Sequence, residues 1–405
     1  MEFDSRNDFR DWRKSDSFRA ASPPTKNGQL PMFLALRDLS FAKGRFALMG
    51  LVISLIAVLG VILTGLASGL ASAGISGLRA LPSTHMAFEA SATGDLFSRS
   101  TVSLGDVTAY RGAKGVQEAA PLGNQLTHGV ITSGTNKNKQ VNLAVFGVDP
   151  SSFLNPAPET GTGLVGGENG ILISKEIANE GISIGDVITI DRIGLPLRVI
   201  GTVGSESFGH VGVIYAPLEA WQRIHYGLPG DPPAEARQQA TAIALKLADG
   251  ADVSAIDSQL KLTTITQKAT YNASPGYQAE SSTMTMIQGF LYVISALVVG
   301  AFFTVWTVQR KPEIALLKAL GGSTRYILRD ALAQVLTVLV GATALGTVVG
   351  WGLGLAMPDA MPFTLDASKV ALASGLLIVL GVVGAVAALR RITSVDPLTA
   401  LGAQR

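Results

Sequence analysis

The stretch FALMGLVISLIAVLGVILTGLASGL, residues 46–70, contains no charged residue. A helix of about 20 apolar residues is long enough to cross the ~30 Å hydrocarbon core of a bilayer. Three more stretches of similar length, residues 284–308, 331–355 and 367–389, contain no Asp, Glu or Arg. The alternative, that all of them are buried helices of a soluble protein, fits poorly with a charged fraction of only 15%, against about 25% in soluble domains. The sequence therefore predicts a membrane protein with four spans.

Basic residues flank these spans on one side of the predicted membrane. Cytoplasmic segments of membrane proteins carry an excess of Lys and Arg near the spans. The segment between spans three and four, residues 356–366, has neither residue, so we place it outside and both termini in the cytoplasm. The residues that set this orientation are Arg37, Lys43, Arg45, Arg310, Lys311, Lys318, Arg325, Arg329, Arg390 and Arg391.

The positions of the spans divide the chain into segments. The predicted fold is an α-helical four-span bundle with a large α+β extracytoplasmic domain inserted between spans one and two. The segments are a disordered cytoplasmic tail (1–30), an amphipathic lead-in with span one (31–70), the external domain (71–283), span two (284–308), a cytoplasmic connector (309–330), span three (331–355), an external loop (356–366), span four (367–389) and the cytoplasmic C-terminus (390–405).

The external domain has a sequence typical of an α+β fold in which strands dominate. The segments DVITI and LRVIGTV have the alternating or β-branched pattern of strands, and SKEIANE predicts a short helix that ends at Gly181. The chain has no cysteine, which excludes disulfides and thiolate ligands. His128, His210 and His225 are not spaced as metal ligands, and no hydrolase motif is present, so we expect no enzyme activity in this domain.

The sequence of the cytoplasmic connector predicts a short helix, followed by a second helix that leads into span three. Pro312 and Glu313 suit the first turn of a helix, and Ser323 suits the cap of the second. Such a helix could lie on the membrane, or it could dock on a partner that supplies energy. The chain has no GxxxxGK[ST] phosphate loop, so an ATPase would have to be a separate subunit. The candidate docking residues are Pro312, Glu313, Ile314, Leu317, Lys318 and Leu320.

The segments KPEIALLKALGGSTRYI, between spans two and three, and RRITSVDPLTALGAQR, at the C-terminus, resemble those of the FtsX/MacB-type permeases of ABC transporters. The resemblance covers nearly everything after residue 31. The stretch TGLASGLASAGIS, residues 64–76, is most similar to the pattern SGLAxGLAxxxxS of the HrtB/DevC branch. The matching residues are Gly65, Leu66, Ala67, Gly69, Leu70, Ala71 and Ser76.

This resemblance implies a permease homodimer with two ATPase subunits in a bacterial plasma membrane. It also implies haem as the transported substrate, with no cofactor of the chain's own, no enzyme activity in the permease and no nucleic-acid partner. Two alternatives belong to the same family. One is an FtsX-like signalling permease that regulates a cell-wall hydrolase or senses peptides, and the other is an exporter of lipids or lipoproteins.

Small residues recur every fourth position at the end of span one, where they form a smooth ridge on a helix. Such ridges let helices approach closely in lipid. We interpret the ridge as a surface that lines a slot between two copies of the permease; packing within one chain is the alternative. Span three has a similar ridge, for which both interpretations stay open. The two sets are Gly65, Gly69, Ala73 and Gly77 in span one, and Gly346, Gly350 and Gly354 in span three.

A haem site needs an apolar slot, partners for the propionates and, where the iron is ligated, a His, Met or Tyr side chain in a chain without cysteine. Residues of these types cluster near the external ends of spans one and two. Each has an ordinary alternative, such as a surface histidine, a packing methionine or a lipid-headgroup contact. The candidates are Arg79, His85, Met86, Met284, Met286 and Tyr292.

Overall fold

The computed structural model describes residues 43–165, 169–228, 230–310, 312, 316, 323–358 and 361–390. Its α-helices are α1 Lys43–Ala80, α2 Leu96–Arg99, α3 Leu104–Arg111, α4 Lys175–Asn179, α5 Leu218–Tyr226, α6 Ser254–Leu260, α7 Gln267–Thr270, α8 Tyr277–Gln309, α9 Thr324–Leu355 and α10 Ala367–Arg390. Its strands are β1 His85–Glu89, β2 Val102–Ser103, β3 Val116–Ile131, β4 Gln140–Val148, β5 Thr160–Gly161, β6 Gly170–Ile173, β7 Val187–Ile190, β8 Leu195–Thr202, β9 Ser207–Phe208, β10 Val211–Pro217, β11 Gln239–Ala240, β12 Ala242–Leu247 and β13 Leu262–Thr266.

Among the described residues, four helices are long and apolar enough to cross a membrane, and they are α1, α8, α9 and α10. This confirms the predicted four spans and the large insertion between the first two. Helix α1 has 38 residues and is about 57 Å long at ~1.5 Å per residue. It therefore extends well beyond a bilayer core of ~30 Å and continues into the external domain. The predicted tail and the C-terminal segment 391–405 lie outside the described residues.

Small residues set the packing of the membrane bundle within this chain. A Cβ at Gly346 of α9 would overlap the carbonyl oxygen of Ser54 on α1, and one at Gly350 would lie 2.9 Å from the Cβ of Val61. Gly384 of α10 meets the backbone of Ala296 on α8 in the same way. The small-residue ridge of span three therefore packs against α1 of its own chain, which decides between the two interpretations of that ridge for Gly346 and Gly350.

The centre of the bundle is filled by apolar side chains from each membrane helix. Ile53, Val299, Phe303, Leu339 and Ala385 are completely buried there. The interior hydroxyl of Ser54 has a partner within the bundle, since it donates to the carbonyl of Ala342 at 2.8 Å. Such a bond offsets the cost of burying a hydroxyl in an apolar interior.

The external domain is built on one large mixed sheet; its many strands confirm the predicted α+β fold. Within the described residues its strand order is β13-β1-β12-β3-β4-β10-β6-β8-β5, with β7 pairing with β3 and β8 and β9 pairing with β10. Strand β10 is parallel to β4 and β6 is parallel to β8, whereas the other pairs are antiparallel. The predicted strands around residues 187–190 and 195–202 form β7 and β8, and α4 is followed by Gly181 with a φ of +86°.

The end of α1 is part of the external core. Leu78 is completely buried in the same cluster as Phe146, Phe208 and Tyr215. Gly77 lies so close to the sheet that a Cβ there would be 2.8 Å from Val213 and 3.2 Å from the carbonyl oxygen of Ser207. The first membrane helix and the external domain are therefore one continuous packed unit.

The connector between α8 and α9 is described in part. Pro312 and Leu316 are helical and exposed, and Ser323 caps α9 by accepting a hydrogen bond from the backbone of Tyr326 at 3.3 Å. The cap at Ser323 agrees with the sequence prediction. The other candidate docking residues, Glu313, Ile314, Leu317, Lys318 and Leu320, lie outside the described residues.

Candidate functional site

A groove separates α1 from α8 at the external end of the bundle. The space between the two helices is ≈ 360 Å³, including the part that is open to solvent. Ala67, Leu70 and Ala71 form the α1 wall, and the small alanine side chains leave room between the helices. The α8 wall is more polar and consists of Tyr277, Glu280, Ser281, Met284, Thr285 and Gln288. The groove thus combines an apolar wall, one thioether, several neutral polar groups and one carboxylate.

Of the six residues predicted from the sequence as haem contacts, all within the described part, Met284 alone lines this groove. Met286 is two residues further along α8, and its side chain is 57% exposed on the outside of the bundle. Tyr292 packs against the bundle core next to the buried cluster of Phe303 and Val299. Helical geometry separates these side chains because neighbours two residues apart point to opposite sides of a helix.

The other three candidates belong to the external domain. Met86 is completely buried in the sheet core, where β1 pairs with β12 and β13. Its thioether is inaccessible, so the prediction of a haem contact at Met86 is corrected to a core position. His85 is half-buried and contacts the hydroxyl of Thr84 at 3.0 Å. Arg79 is exposed, with its guanidinium 5.9 Å from the ring centre of Tyr271.

The glycine ridge of α1 is covered by the loop that joins α9 to α10. A Cβ at Gly65 would overlap the ring of Phe363, and one at Gly69 would overlap the carbonyl oxygen of Pro362. The backbone N–H of Thr364 donates to the carbonyl of Gly65 at 3.1 Å. The ring of Phe363 also lies 2.7 Å from the position of a Cβ on Gly354. This loop therefore occupies the close approach that the small residues permit.

The ridge and the groove lie on opposite faces of α1. At about 100° per residue, Ala67 and Ala71 are rotated by roughly 200° and 240° from Gly65. Gly65 and Gly69 therefore do not line the groove of their own chain, whereas Ala67, Leu70 and Ala71 do. Contact between the ridge and a second copy of the permease stays a prediction. The close packing that the small residues permit is already accounted for by the loop contacts within this chain.

Further along the ridge, α1 contacts the external sheet. Gly77 packs on Val213, as described above, and the carbonyl of Ala73 accepts a hydrogen bond from the backbone N–H of His210 at 3.0 Å. His210 lies in the turn between β9 and β10, and its Nε2 is 3.0 Å from Oε1 of Glu280. The external end of the groove is thus joined to the sheet.

The end of the bundle far from the external domain is held by an aromatic and polar network. The rings of Phe46 and Trp306 meet edge to face with centres 6.3 Å apart. The guanidinium of Arg310 lies 5.0 Å from the ring centre of Trp306, and it donates to the amide oxygen of Gln334 at 3.4 Å. Gln334 is completely buried and donates to Asp330 at 3.0 Å. This network fixes where α8 ends, so it sets the starting point of the connector.

Glu280 at the groove and Phe363 on the glycine ridge were not among the predicted site residues. Glu280 follows a stretch rich in Tyr, Ser and Pro. The one feature of the sequence that could have identified it is its position one helical turn before Met284. Phe363 lies in an external loop that the sequence marked only by its lack of basic residues. Among the described residues, no group of three or more His, Cys, Asp or Glu side chains is placed to hold a metal ion.

Two family models match the chain. The MacB-like periplasmic core domain matches residues 45–262, and the FtsX-like permease C-terminal domain matches residues 285–397. The first match covers α1 and the external domain, and the second covers the remaining three membrane helices within the described residues and the connector. Their order along the chain agrees with the observed arrangement of a span, a domain and a helical bundle.

Among curated proteins, the chain is similar to a Staphylococcus haemolyticus protein named hemin transport system permease protein HrtB. The two are 28% identical over 92% of this chain and 99% of the relative. A protein of the same name from Staphylococcus epidermidis is 23% identical over the same shares. An uncharacterized ABC transporter permease of Mycobacterium tuberculosis is 25% identical, again over 92% of this chain and 99% of the relative.

Solved structures that match part of the chain include two extracytoplasmic domains of transporters. The extracellular domain of the transporter YknZ from Gram-positive bacteria is 12% identical, covering 45% of this chain and 99% of that one with a TM-score of 0.33. The periplasmic region of MacB from Actinobacillus actinomycetemcomitans is 16% identical, covering 48% of this chain and 94% of that one with a TM-score of 0.32.

Proposed function

Because the chain belongs to the FtsX/MacB-type family of ABC transporter permeases, we propose that it is the membrane subunit of an ATP-driven exporter whose cargo is haem. The observation that carries the proposal is the groove between α1 and α8, with a thioether at Met284 opposite the alanines of α1. The relatives named for hemin transport support the choice of cargo. Haem is the substrate in this proposal, and the chain needs no cofactor of its own.

The chemistry of the groove suits a flat apolar molecule with a polar edge. Ala67, Leu70 and Ala71 would contact the face of the macrocycle, where apolar contact gains about 25 cal/mol per Å² removed from water. Met and Tyr are both known axial ligands of haem iron; the groove has one of each, Met284 and Tyr277, and we propose Met284, which faces the alanines of α1, for this role. Thr285 and Gln288 carry donors for propionate oxygens.

The energy for export would come from a partner. The chain has no phosphate-loop motif, so we propose that a separate ABC ATPase binds the connector around Pro312 and that two permeases and two ATPases form the complex. Nucleotide binding would move the connector, and α8 would transmit this movement because it runs from Arg310 to the groove without interruption. This is a mechanical role, with no bond made or broken in the permease.

The proposal is tested by titrating haemin into the purified permease–ATPase complex and following the Soret band. We expect a saturable shift in the wild-type complex. Met284→Ala should raise the dissociation constant about tenfold or more, which corresponds to ~1.4 kcal/mol. Met286→Ala is the matched control, since that side chain points away from the groove, and we expect a change below twofold.

A wild-type complex without a saturable Soret shift would refute haem as the cargo. Equal effects of the two methionine variants would refute the groove as its site. An apolar groove also suits an acyl chain, so lipid or lipoprotein export is a second candidate. A deletion strain separates the two, because a haem exporter predicts growth inhibition at lower haem concentrations than in the parent strain, whereas a lipid exporter or a signalling permease predicts equal sensitivity.

A further inference from the structure

The turn between β9 and β10 is bonded to α1 by two consecutive backbone groups. The N–H of Gly209 donates to the carbonyl of Gly74, and the N–H of His210 donates to the carbonyl of Ala73, both at 3.0 Å. Next to it, the N–H of Ser207 donates to the hydroxyl of Ser76 at 2.8 Å. These three hydrogen bonds hold the external sheet against one turn of α1, residues 73–76, next to the external end of the groove.

The backbone of this turn is unusual. Gly209 and His210 both have left-handed conformations, with φ of +57° and +65°. Glycine adopts this region freely, but a residue with a Cβ is destabilised there. Strained residues of this kind persist where surrounding contacts determine them, and they cluster at functional sites. At His210 the contacts are the backbone bond to α1 and the side-chain bond to α8.

The imidazole of His210 reaches the second wall of the groove. Its Nε2 is 3.0 Å from Oε1 of Glu280, and Glu280 lies in the groove one helical turn before Met284. Residues four apart occupy the same face of a helix. The backbone of His210 thus holds α1, its side chain holds α8, and its strand belongs to the external sheet.

We propose that His210 is a positioning residue that couples the external domain to the width of the α1–α8 groove. Because α1 is packed into the external domain, a movement of that domain moves α1, and the His210–Glu280 contact transmits part of this movement to α8. The share that reaches α8 sets the distance between the two walls at the external end of the groove. The inference rests on the proposed function for the identity of the cargo, but the mechanical link itself does not depend on haem.

Neighbouring contacts define what His210 adds. Ser274, just before α8, donates through its hydroxyl to the carbonyl of Gly74 at 2.9 Å, and the ring of Tyr277 lies 3.4 Å from the position of a Cβ on Gly74. These contacts hold the start of α8 against α1 without the sheet. Loss of the His210 imidazole should therefore leave both helices paired while it weakens the response of the groove to the external domain.

The test uses the absence of cysteine from the chain. Ala71→Cys and Ser281→Cys place a reporter pair on the two walls, and the rate of disulfide formation between them is measured in the permease–ATPase complex with and without a non-hydrolysable ATP analogue. In the background with His210 we expect the analogue to change this rate. His210→Gly keeps the left-handed turn and removes the imidazole, and it should reduce the nucleotide response at least threefold.

Two further variants distinguish loss of the contact between His210 and Glu280 from a general loss of folding. Glu280→Ala removes the acceptor on α8 without touching the turn, and it should reproduce the effect of His210→Gly. His210→Asn tolerates the left-handed conformation and keeps a donor, so it should retain more of the response than His210→Gly. An unchanged nucleotide response in both His210→Gly and Glu280→Ala would overturn the inference.

The wild-type complex without the reporter cysteines is titrated with haemin in parallel, which distinguishes the two proposals. A His210-dependent cross-linking response without a Soret shift in wild type would refute haem transport and support the link. A Soret shift in wild type together with a cross-linking response that ignores His210 and Glu280 would support haem transport and refute the link.

Discussion

Glu206 is a buried carboxyl group at the contact between the external sheet and α1. It is 8% exposed and accepts a hydrogen bond from the hydroxyl of Tyr215 at 2.5 Å. Burial is the main cause that raises the pKa of Glu206 to about 7; the bond from Tyr215 opposes this rise, and the nearby carboxylates of Glu176 and Glu159 contribute to it. The next residue, Ser207, is bonded to α1. This carboxyl group is therefore protonated or ionised according to the external pH.

The raised pKa of Glu206 predicts a stability that falls as pH rises. The folded protein holds a proton that the unfolded chain releases between the ordinary pKa of 4.5 and about 7. The stabilisation is complete below this window and is lost as pH rises through the folded pKa, by about 3 kcal/mol at most. Glu206→Gln should remove this dependence and make the protein more stable than wild type at about pH 8.

The measurement is urea unfolding of the external domain in the detergent-solubilised full chain at several pH values, followed by tryptophan fluorescence. Glu180→Gln is the control, because Glu180 is exposed and its ion pair with Lys139 at 3.3 Å is of a type worth about 1 kcal/mol or less. An equal pH dependence in wild type and Glu206→Gln would contradict the prediction.

At the scale of elements, the α9–α10 loop determines where α1 lies in the bundle. Pro362 and Phe363 pack on Gly65 and Gly69, and the amine of Lys369 donates to the hydroxyl of Ser68 at 3.2 Å on the same side of α1. Because these contacts occupy one face of α1, the opposite face is the one left beside the groove. The loop therefore holds α1 in position in addition to connecting α9 to α10.

A methyl group at Gly69 should displace the α9–α10 loop from α1. Its Cβ would overlap the backbone carbonyl of Pro362, and backbone yields less readily than a flexible side chain. We expect Gly69→Ala to lower the stability by about 1–3 kcal/mol, as overpacking does, and to expose Phe363 to chymotrypsin. Thermal unfolding in detergent and limited proteolysis measure the two effects.

Gly352 provides the matched control on α9, because nothing lies within 4 Å of a Cβ placed there. Gly352→Ala should be neutral or stabilising by up to about 1 kcal/mol, the difference between alanine and glycine in a helix. A Gly69→Ala protein as stable and as protease-resistant as Gly352→Ala would show that the loop is not held by the ridge.

At the scale of the whole molecule, the orientation in the membrane follows from charge and stays a prediction. The external domain and the α9–α10 loop lie at the same end of the bundle, since both contact α1 between Gly65 and Gly77. The basic residues that flank the spans lie in segments at the opposite end of the bundle. The positive-inside rule then places the external domain outside the cell.

Single cysteines test this orientation in a chain that has none. Ser151→Cys, at an exposed position of the external domain, should react with an impermeant maleimide in intact cells. Ser17→Cys, in the N-terminal tail, should react only after the cells are permeabilised. Labelling of Ser17→Cys in intact cells would reverse the predicted topology.

Much of the local structure could be predicted from the sequence because local forces determine it. Apolar runs long enough for a bilayer form helices since backbone groups in lipid must bond within their own segment. The Ser323 cap, the left-handed Gly181 and the alternating strands β7 and β8 likewise depend on residues close in sequence.

The candidate site could be predicted only in part. Spacing in a helix tells which residues share a face, so Gly65 and Gly69 were correctly grouped, but it does not tell what that face meets. The same limit explains Met86, whose alternation on β1 points it into a core that forms from β12 and β13, far away in sequence.

The sequence by itself thus determined the four spans, the inserted α+β domain and the family, because hydrophobic length and short motifs are local properties. Only the tertiary structure decided that Phe363 covers the glycine ridge, that Met284 faces Ala67 and Ala71 across a groove, and that His210 reaches Glu280. Each of these contacts joins residues at least 70 positions apart. Their partners are selected by how whole elements pack, and no local pattern encodes that choice.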